Sequence, residues 1–354
     1  MAPSRKAFSV AAALVALLGL IAGRPDAATS AQRSSATPQP KELLAAAVEA
    51  DDHVSYTGTL TTVLYGRDRA DSTVVRVDHK APQSWRIWYV APADAYGRMI
   101  ISNESLTYQY EAQTAKVFRN QWVQSAPAII ESVNVAQVDK NYSFRLGALT
   151  MVAGRPARVL ELVSKHTGAL AERMWTDEKT KLPLRRENYH ADGTIASKTG
   201  FDNIKIVTNL PKELFDLAVP SGMTLVPGAA YGRSTSDVNT LISSAKFKFA
   251  NPTYLPYGFT LQKGSVDTHE GVETVQLVYS DGIQSFSLFE NPTGQLPSFD
   301  QSAPKQIKIG DKDGESAYVG GDALISWNAN GLNLTMVGDL TPKELATIGA
   351  SIAP

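Results

Sequence analysis

The chain of 354 residues contains no cysteine. Disulfides, thiolate metal ligands and thiol nucleophiles are therefore excluded, as is lipidation of a mature N-terminal cysteine. Charge imbalance is missing too. With 34 basic and 35 acidic side chains, the formal net charge of −1 gives no general attraction to nucleic acid. The 5 histidines, His53, His79, His166, His190 and His269, are scattered, and no pair has zinc-site spacing. No Gly-x-Ser-x-Gly elbow occurs, and Gly320-Gly321 lacks the lysine and the strand-to-helix setting of a phosphate loop. Ser164, Lys165 and His166 are sequence neighbours, and adjacent strand residues point to opposite faces, so they are badly placed to cooperate. The acidic groups Asp51-Asp52, Asp177-Glu178 and Asp311–Asp313 sit in turn-like contexts. Asp311-Lys-Asp-Gly-Glu315 has too few alternate oxygens for a Ca²⁺ loop. The expectation is therefore no catalytic residue, no metal and no cofactor, and binding becomes the leading reading.

Arginine is missing from one half. Residues 238–354 carry 7 lysines, no arginine and 12 acids, whereas residues 41–220 carry 22 basic and 21 acidic side chains. The second half lacks the guanidinium forks that suit anionic oxygens. An anionic head group is expected to meet the first half, where Arg67, Arg69, Arg76, Arg86 and Arg98 lie close in sequence. Arg76, Arg86 and Arg98 are the candidates for that role.

What is present begins with an export signal. Arg5 and Lys6 precede an apolar run from Ala7 to Ala22, short for a spanning helix, and a small-residue stretch follows. Residues 1–31 are read as a signal peptide and 32–40, rich in Ala, Ser, Thr, Gln and Pro, as a flexible leader. The expected location is periplasmic, with an uncleaved membrane anchor as the alternative. Length and composition then allow two globular domains.

Residues 41–222 are expected to form the larger one. Leu43, Leu44, Ala47 and Val48 recur at helical spacing. About ten or eleven strand-like segments follow, from Ser55–Tyr65 to Thr194–Ile206, with a hairpin signal at Asp192-Gly193. Their spacing predicts a mostly antiparallel sandwich or barrel-like sheet, with a large curved sheet and a helix across its mouth as the preferred form. Pro127 to Val138 reads as a helix or irregular crossover. Residues 223–237, with Pro227-Gly and Gly232-Arg-Ser-Thr-Ser, read as a linker. The second domain, 238–354, is expected to be α+β, with an antiparallel sheet and two helices. Asp237 caps the first helix. A hairpin turns on a two-residue loop at Asp281-Gly282, and Thr341-Pro-Lys-Glu344 is a capping box for the last helix.

Aromatic residues supply the candidate ligand surface. Trp85, Trp88, Tyr89, Tyr108, Tyr110, Phe118 and Trp122 crowd into about forty residues and would suit the wall of a cavity for acyl chains, although the same rings also make ordinary sheet core.

Two blocks carry a family resemblance. The first contains Tyr254-Leu-Pro-Tyr-Gly-Phe259, Tyr279-Ser-Asp-Gly-Ile-Gln-Ser-Phe-Ser-Leu-Phe289, Trp327 and Leu334-Thr-Met-Val-Gly-Asp-Leu340. It resembles the small C-terminal domain of the MucB/RseB family, periplasmic regulators of envelope-stress sigma factors. The second contains Ser55-Tyr-Thr-Gly58, Gly97-Arg-Met-Ile-Ile101 and Trp175-Thr-Asp-Glu-Lys-Thr-Lys-Leu-Pro-Leu-Arg185, and is similar to that family's large domain. That domain shares its unclosed barrel with the lipoprotein carriers LolA and LolB. The resemblance implies a non-enzymatic sensor that binds the extracytoplasmic segment of a membrane anti-sigma factor and takes a lipid or lipoprotein acyl chain in its large domain. A periplasmic lipoprotein or lipid carrier is the alternative.

Overall fold

The structure is a computed structural model that describes residues 39–66, 70–103, 106–120, 134–190, 192–227, 237–269, 272–292, 304–319 and 322–352. The expected signal peptide and nearly all of the leader lie outside them, as does Trp122. Among the described residues, no helix is long and apolar enough to cross a membrane.

The chain opens with α1 (Pro40–Val48), where Pro40 occupies the first turn and Glu42 reaches back to the Gln39 N–H. A 3₁₀ turn (Ala50–Asp52) leads into β1 (Tyr56–Tyr65), β2 (Ala70–Lys80), β3 (Ser84–Ala91), β4 (Met99–Asn103), β5 (Leu106–Glu111) and β6 (Lys116–Asn120). Then come α2 (Val135–Asn141), β7 (Tyr142–Val152), β8 (Arg155–Ser164), β9 (Leu170–Asp177), β10 (Pro183–Tyr189), β11 (Ile195–Ile206), a 3₁₀ turn (Lys212–Phe215) and β12 (Thr224–Pro227). These strands make one 12-stranded sheet in the order β12-β6-β5-β4-β3-β2-β1-β11-β10-β9-β8-β7. It is unclosed, since β12 and β7 end it without pairing to each other. β12 runs parallel to β6, so the start of the expected linker is sheet. Most of β7, from Tyr142 to Thr150, was not expected as strand. Gly147 and a register shift between Leu146 and Leu149 interrupt its alternation.

The second sheet follows α3 (Val238–Ser244), which Asp237 caps by accepting from the Asn239 N–H. Its strands are β13 (Thr260–His269), β14 (Val272–Ser280), β15 (Ser285–Asn291), β16 (Lys305–Ile309), β17 (Lys312–Val319), β18 (Asp322–Ala329) and β19 (Leu332–Gly338), ordered β13-β14-β15-β19-β18-β17-β16. α4 (Pro342–Gly349) closes the chain with the expected box. Thr341 Oγ1 accepts from the Glu344 N–H, and Glu344 accepts from the Thr341 N–H. Leu345 and Ile348 of α4 are fully buried against Trp327, Ile325 and Leu334 of the sheet. The β14–β15 loop departs from expectation. Ser280 pairs with Ser285, leaving four loop residues, because the Asp281 carboxylate accepts from the Ile283 and Gln284 N–H groups and builds a wider turn.

Strand alternation gives the large sheet two distinct faces. α1 and its 3₁₀ turn cover one. Tyr56, Leu60, Val75, Val77, Trp85, Ile87 and Phe201 are buried there, with Ala50 of the turn packed on them. On β7–β9 the same side holds Tyr142, Leu160, Leu162 and Met174 beneath Leu43, Leu44 and Ala47 of α1. On the opposite face, Ile101, Tyr110 and Val117 are covered by Leu210 and Phe215 from the segment after β11.

Candidate functional site

The six aromatic candidates among the described residues do not line one cavity. Trp85 is buried on the helix-covered face, where His79 stacks on it at 3.7 Å and Tyr56 meets it edge-on. Tyr89 shares that side, since it pairs with Val75, and Phe118 shares it through Gln109 and Ile100. Trp88, Tyr108 and Tyr110 stand on the opposite face. Register decides this, since Trp88 pairs with Met99, Met99 with Tyr110, and Tyr108 with Ile101. Tyr110 is buried core, and its hydroxyl donates to the Ala218 carbonyl at 2.8 Å. Only Trp88 of these three is exposed, at 41%.

The arginines divide in the same way. Arg98 belongs with the helix-covered side: its guanidinium lies 5.6 Å from the Tyr89 ring centre and pairs with Glu111 at 2.7 Å. Arg76 and Arg86 belong with Trp88. One cross-strand row runs Lys205–Thr57–Asp78–Arg86 over β11, β1, β2 and β3, and the next runs Asn203–Thr59–Arg76–Trp88. Between them lies a cavity of about 490 Å³ lined by Thr57, Arg76, Asp78, Arg86, Trp88, Asn203 and Lys205, with Gly58, Val77 and Ile204 in its floor. Arg86 approaches Asp78 at 3.8 Å, while burial pushes the Asp78 carboxyl up against the lowering effect of Arg86. Arg76 and Lys205 are exposed and form no ion pair among the described residues. Lys205, Asp78 and Asn203 escaped the sequence reading. The pairing of β1 with β11 brings Lys205 to this place from more than a hundred residues away.

Beneath the 3₁₀ turn that follows α1, His79, Tyr56 and Asp51 form a polar cluster. His79 contacts the Asp51 carbonyl at 2.7 Å and the Ser84 carbonyl at 3.2 Å, and burial holds its pKa below the usual value. The Tyr56 hydroxyl donates to Asp51, whose carboxyl burial pushes up to about 6.

A second polar centre joins the two sheets. From α2 and the start of β7, Gln137, Asn141 and Tyr142 reach the β14–β15 loop. Gln137 donates to the Ser280 carbonyl at 2.7 Å, and buried Asn141 donates to the carbonyls of Asp281 (2.7 Å) and Gly258 (3.2 Å). The Tyr142 hydroxyl donates to Asp281 Oδ2 at 2.5 Å. The approach depends on Gly282, at φ +105°, where a Cβ would meet Val138 backbone and side chain at 3.0–3.1 Å. Ile283 packs into the apolar cluster beneath α1 and α2. Asp339 accepts from the Ser285 N–H at 2.7 Å; burial raises its pKa, while the positive charge of Arg186 from the large sheet opposes that rise. Arg186 itself holds buried Glu172 at 2.8 Å.

Known proteins place this architecture. The MucB/RseB N-terminal domain model matches residues 39–219, half of the chain. The chain belongs to the MucB/RseB family. It is 22% identical to the sigma-E factor regulatory protein RseB of Escherichia coli over 236 residues, 65% of this chain and 64% of RseB, just under two thirds of that relative. An uncharacterised protein of Methanocaldococcus jannaschii is 23% identical over 258 residues, 71% of each chain. Among solved structures, MucB in complex with MucA(peri) has a similar fold, with TM-score 0.60 and 17% identity over 89% of this chain and 99% of that one. The Pseudomonas aeruginosa MucA/MucB complex gives the same score and identity, covering 89% of this chain and 98% of the other. Both sheets thus fall within the shared fold.

Proposed function

We propose that this protein is an exported, non-enzymatic regulator that binds the extracytoplasmic segment of a membrane anti-sigma factor in the periplasm. Membership of the MucB/RseB family carries this reading. The second sheet supports regulation over lipoprotein carriage, because it is seated on α2 by a dedicated set of buried hydrogen bonds. A lipid acyl chain is the proposed second ligand, entering beside Trp85, Tyr89 and Phe118 on the helix-covered face. Trp85 is already packed there, so entry requires α1 to move. The original head-group trio cannot act together, since Arg98 is on that side and Arg76 and Arg86 are on the other.

The deciding experiment is titration calorimetry with the extracytoplasmic segment of the anti-sigma factor encoded beside a sigma-factor gene in the same genome. Saturable 1:1 binding is expected, and no heat and no co-elution would end the regulator reading. Native mass spectrometry checks the lipid. The expected result is a co-purified or added acyl chain retained by the folded protein, and its absence in both cases removes that ligand.

A further inference from the structure

We propose that the groove around Trp88 is the docking site for an extended, acidic stretch of the protein partner, on the face of the large sheet away from α1. The inference rests on the regulator reading above and adds the place and the chemistry of contact.

Charge is the first observation. Arg76, Arg86 and Lys205 against Asp78 give the groove walls a net +2, that is, three cations minus one carboxylate. Elsewhere on the same sheet Arg155, Arg173, Arg185 and Arg186 each hold a carboxylate of their own. At the groove, Arg76 and Lys205 hold none, and Arg86 meets Asp78 only at 3.8 Å. Uncompensated cations around an exposed tryptophan attract an anionic partner and give it a flat apolar anchor.

Spacing is the second. Arg86 and Lys205 lie in one row but three strand steps apart, about 14 Å at the usual separation between neighbouring strands. Arg76 stands in the next row, beside Trp88. A single compact oxyanion does not span that distance. Several carboxylates carried along an extended backbone do, with the segment crossing the strands and an apolar side chain over Trp88. The floor is shaped for such an approach. β11 bulges where Thr59 and Leu60 pair with Asn203 and Phe201, which bends the strand beside the groove.

The test uses the full chain with three probes, a hexaglutamate peptide, inorganic phosphate and the anti-sigma segment, followed by calorimetry. Hexaglutamate is expected to bind in a salt-sensitive manner. Arg76→Gln with Lys205→Gln should weaken both hexaglutamate and the segment at least tenfold, and Trp88→Ala several-fold, with the melting temperature unchanged. Phosphate at the same charge concentration should not displace the peptide. Three results overturn the groove: no hexaglutamate binding, displacement by phosphate, or a segment that binds wild type and the double variant equally. The last leaves the regulator reading intact. A segment that fails to bind wild type at all removes that reading and, with it, the groove as the partner's site.

Discussion

The 7-stranded sheet gathers its buried side chains into one continuous cluster, whereas the 12-stranded sheet divides its own among three. In the small sheet Trp327, Ile325, Leu334 and Met336 pack together under Leu345 and Ile348, so one defect is felt throughout. In the large sheet the group at Leu210 and Phe215, the group at Tyr56 and Trp85, and the group under α1 can give way separately. Charge is divided in a related way. The small half has no arginine and carries buried Asp281 and Glu290 with half-buried Asp339, while the large half supplies Tyr142 and Arg186 at the seam. A unitary body seated on a sectional one is suited to transmit a change made in a single section.

The strongest way to break this contrast is a cavity in the unitary core. Trp327→Ala should cost roughly 3–5 kcal/mol and loosen every strand of the small sheet, read by hydrogen exchange. Met174→Ala, under α1, should cost about 2–5 kcal/mol but speed exchange in β7–β9 and α1 while sparing β4–β6. Uniform loosening in the second variant would refute the sectional picture.

Next comes Glu290, fully buried, with Oε1 lacking a hydrogen-bond partner among the described residues and Oε2 accepting from the Ala250 N–H. Burial pushes its carboxyl up to about 7. A raised folded pKa means the contribution is fully present below about pH 4.5 and is lost as pH rises through 7. Glu290→Gln should therefore stabilise the protein by roughly 3 kcal/mol at pH 8 and leave it unchanged at pH 4, measured by thermal unfolding across that range.

The seam gives a smaller effect. Tyr142→Phe strips a donor from buried Asp281 and should cost about 1–3 kcal/mol, with a broader distribution of distances between spin labels on the two sheets. Smallest of all is the change at the groove, where Arg76→Gln with Lys205→Gln should leave stability within about 0.5 kcal/mol.

Much of the fold was legible because it depends on local chemistry. The Thr341–Glu344 box and the Asp237 cap both appear where the sequence places them. The site was only partly legible, since it is made by register between distant strands. Trp85 and Trp88 had to face apart on a regular strand, but nothing local says that Tyr110 joins Trp88 or that Lys205 comes to Arg76. The wider β14–β15 loop was hidden for another reason: Asp-Gly reads as a two-residue turn until the Asp281 carboxylate is seen serving two N–H groups.

Ile283 has a practical consequence. It belongs to the small half by sequence and to the large half by packing. Cutting the chain after Pro227 would leave the large piece with an unfilled notch beside Val138. It would also leave the small piece with a bare isoleucine and two acids stripped of their neighbours. Each piece made alone should be less soluble than the whole, and mixing the two should restore some of the loss.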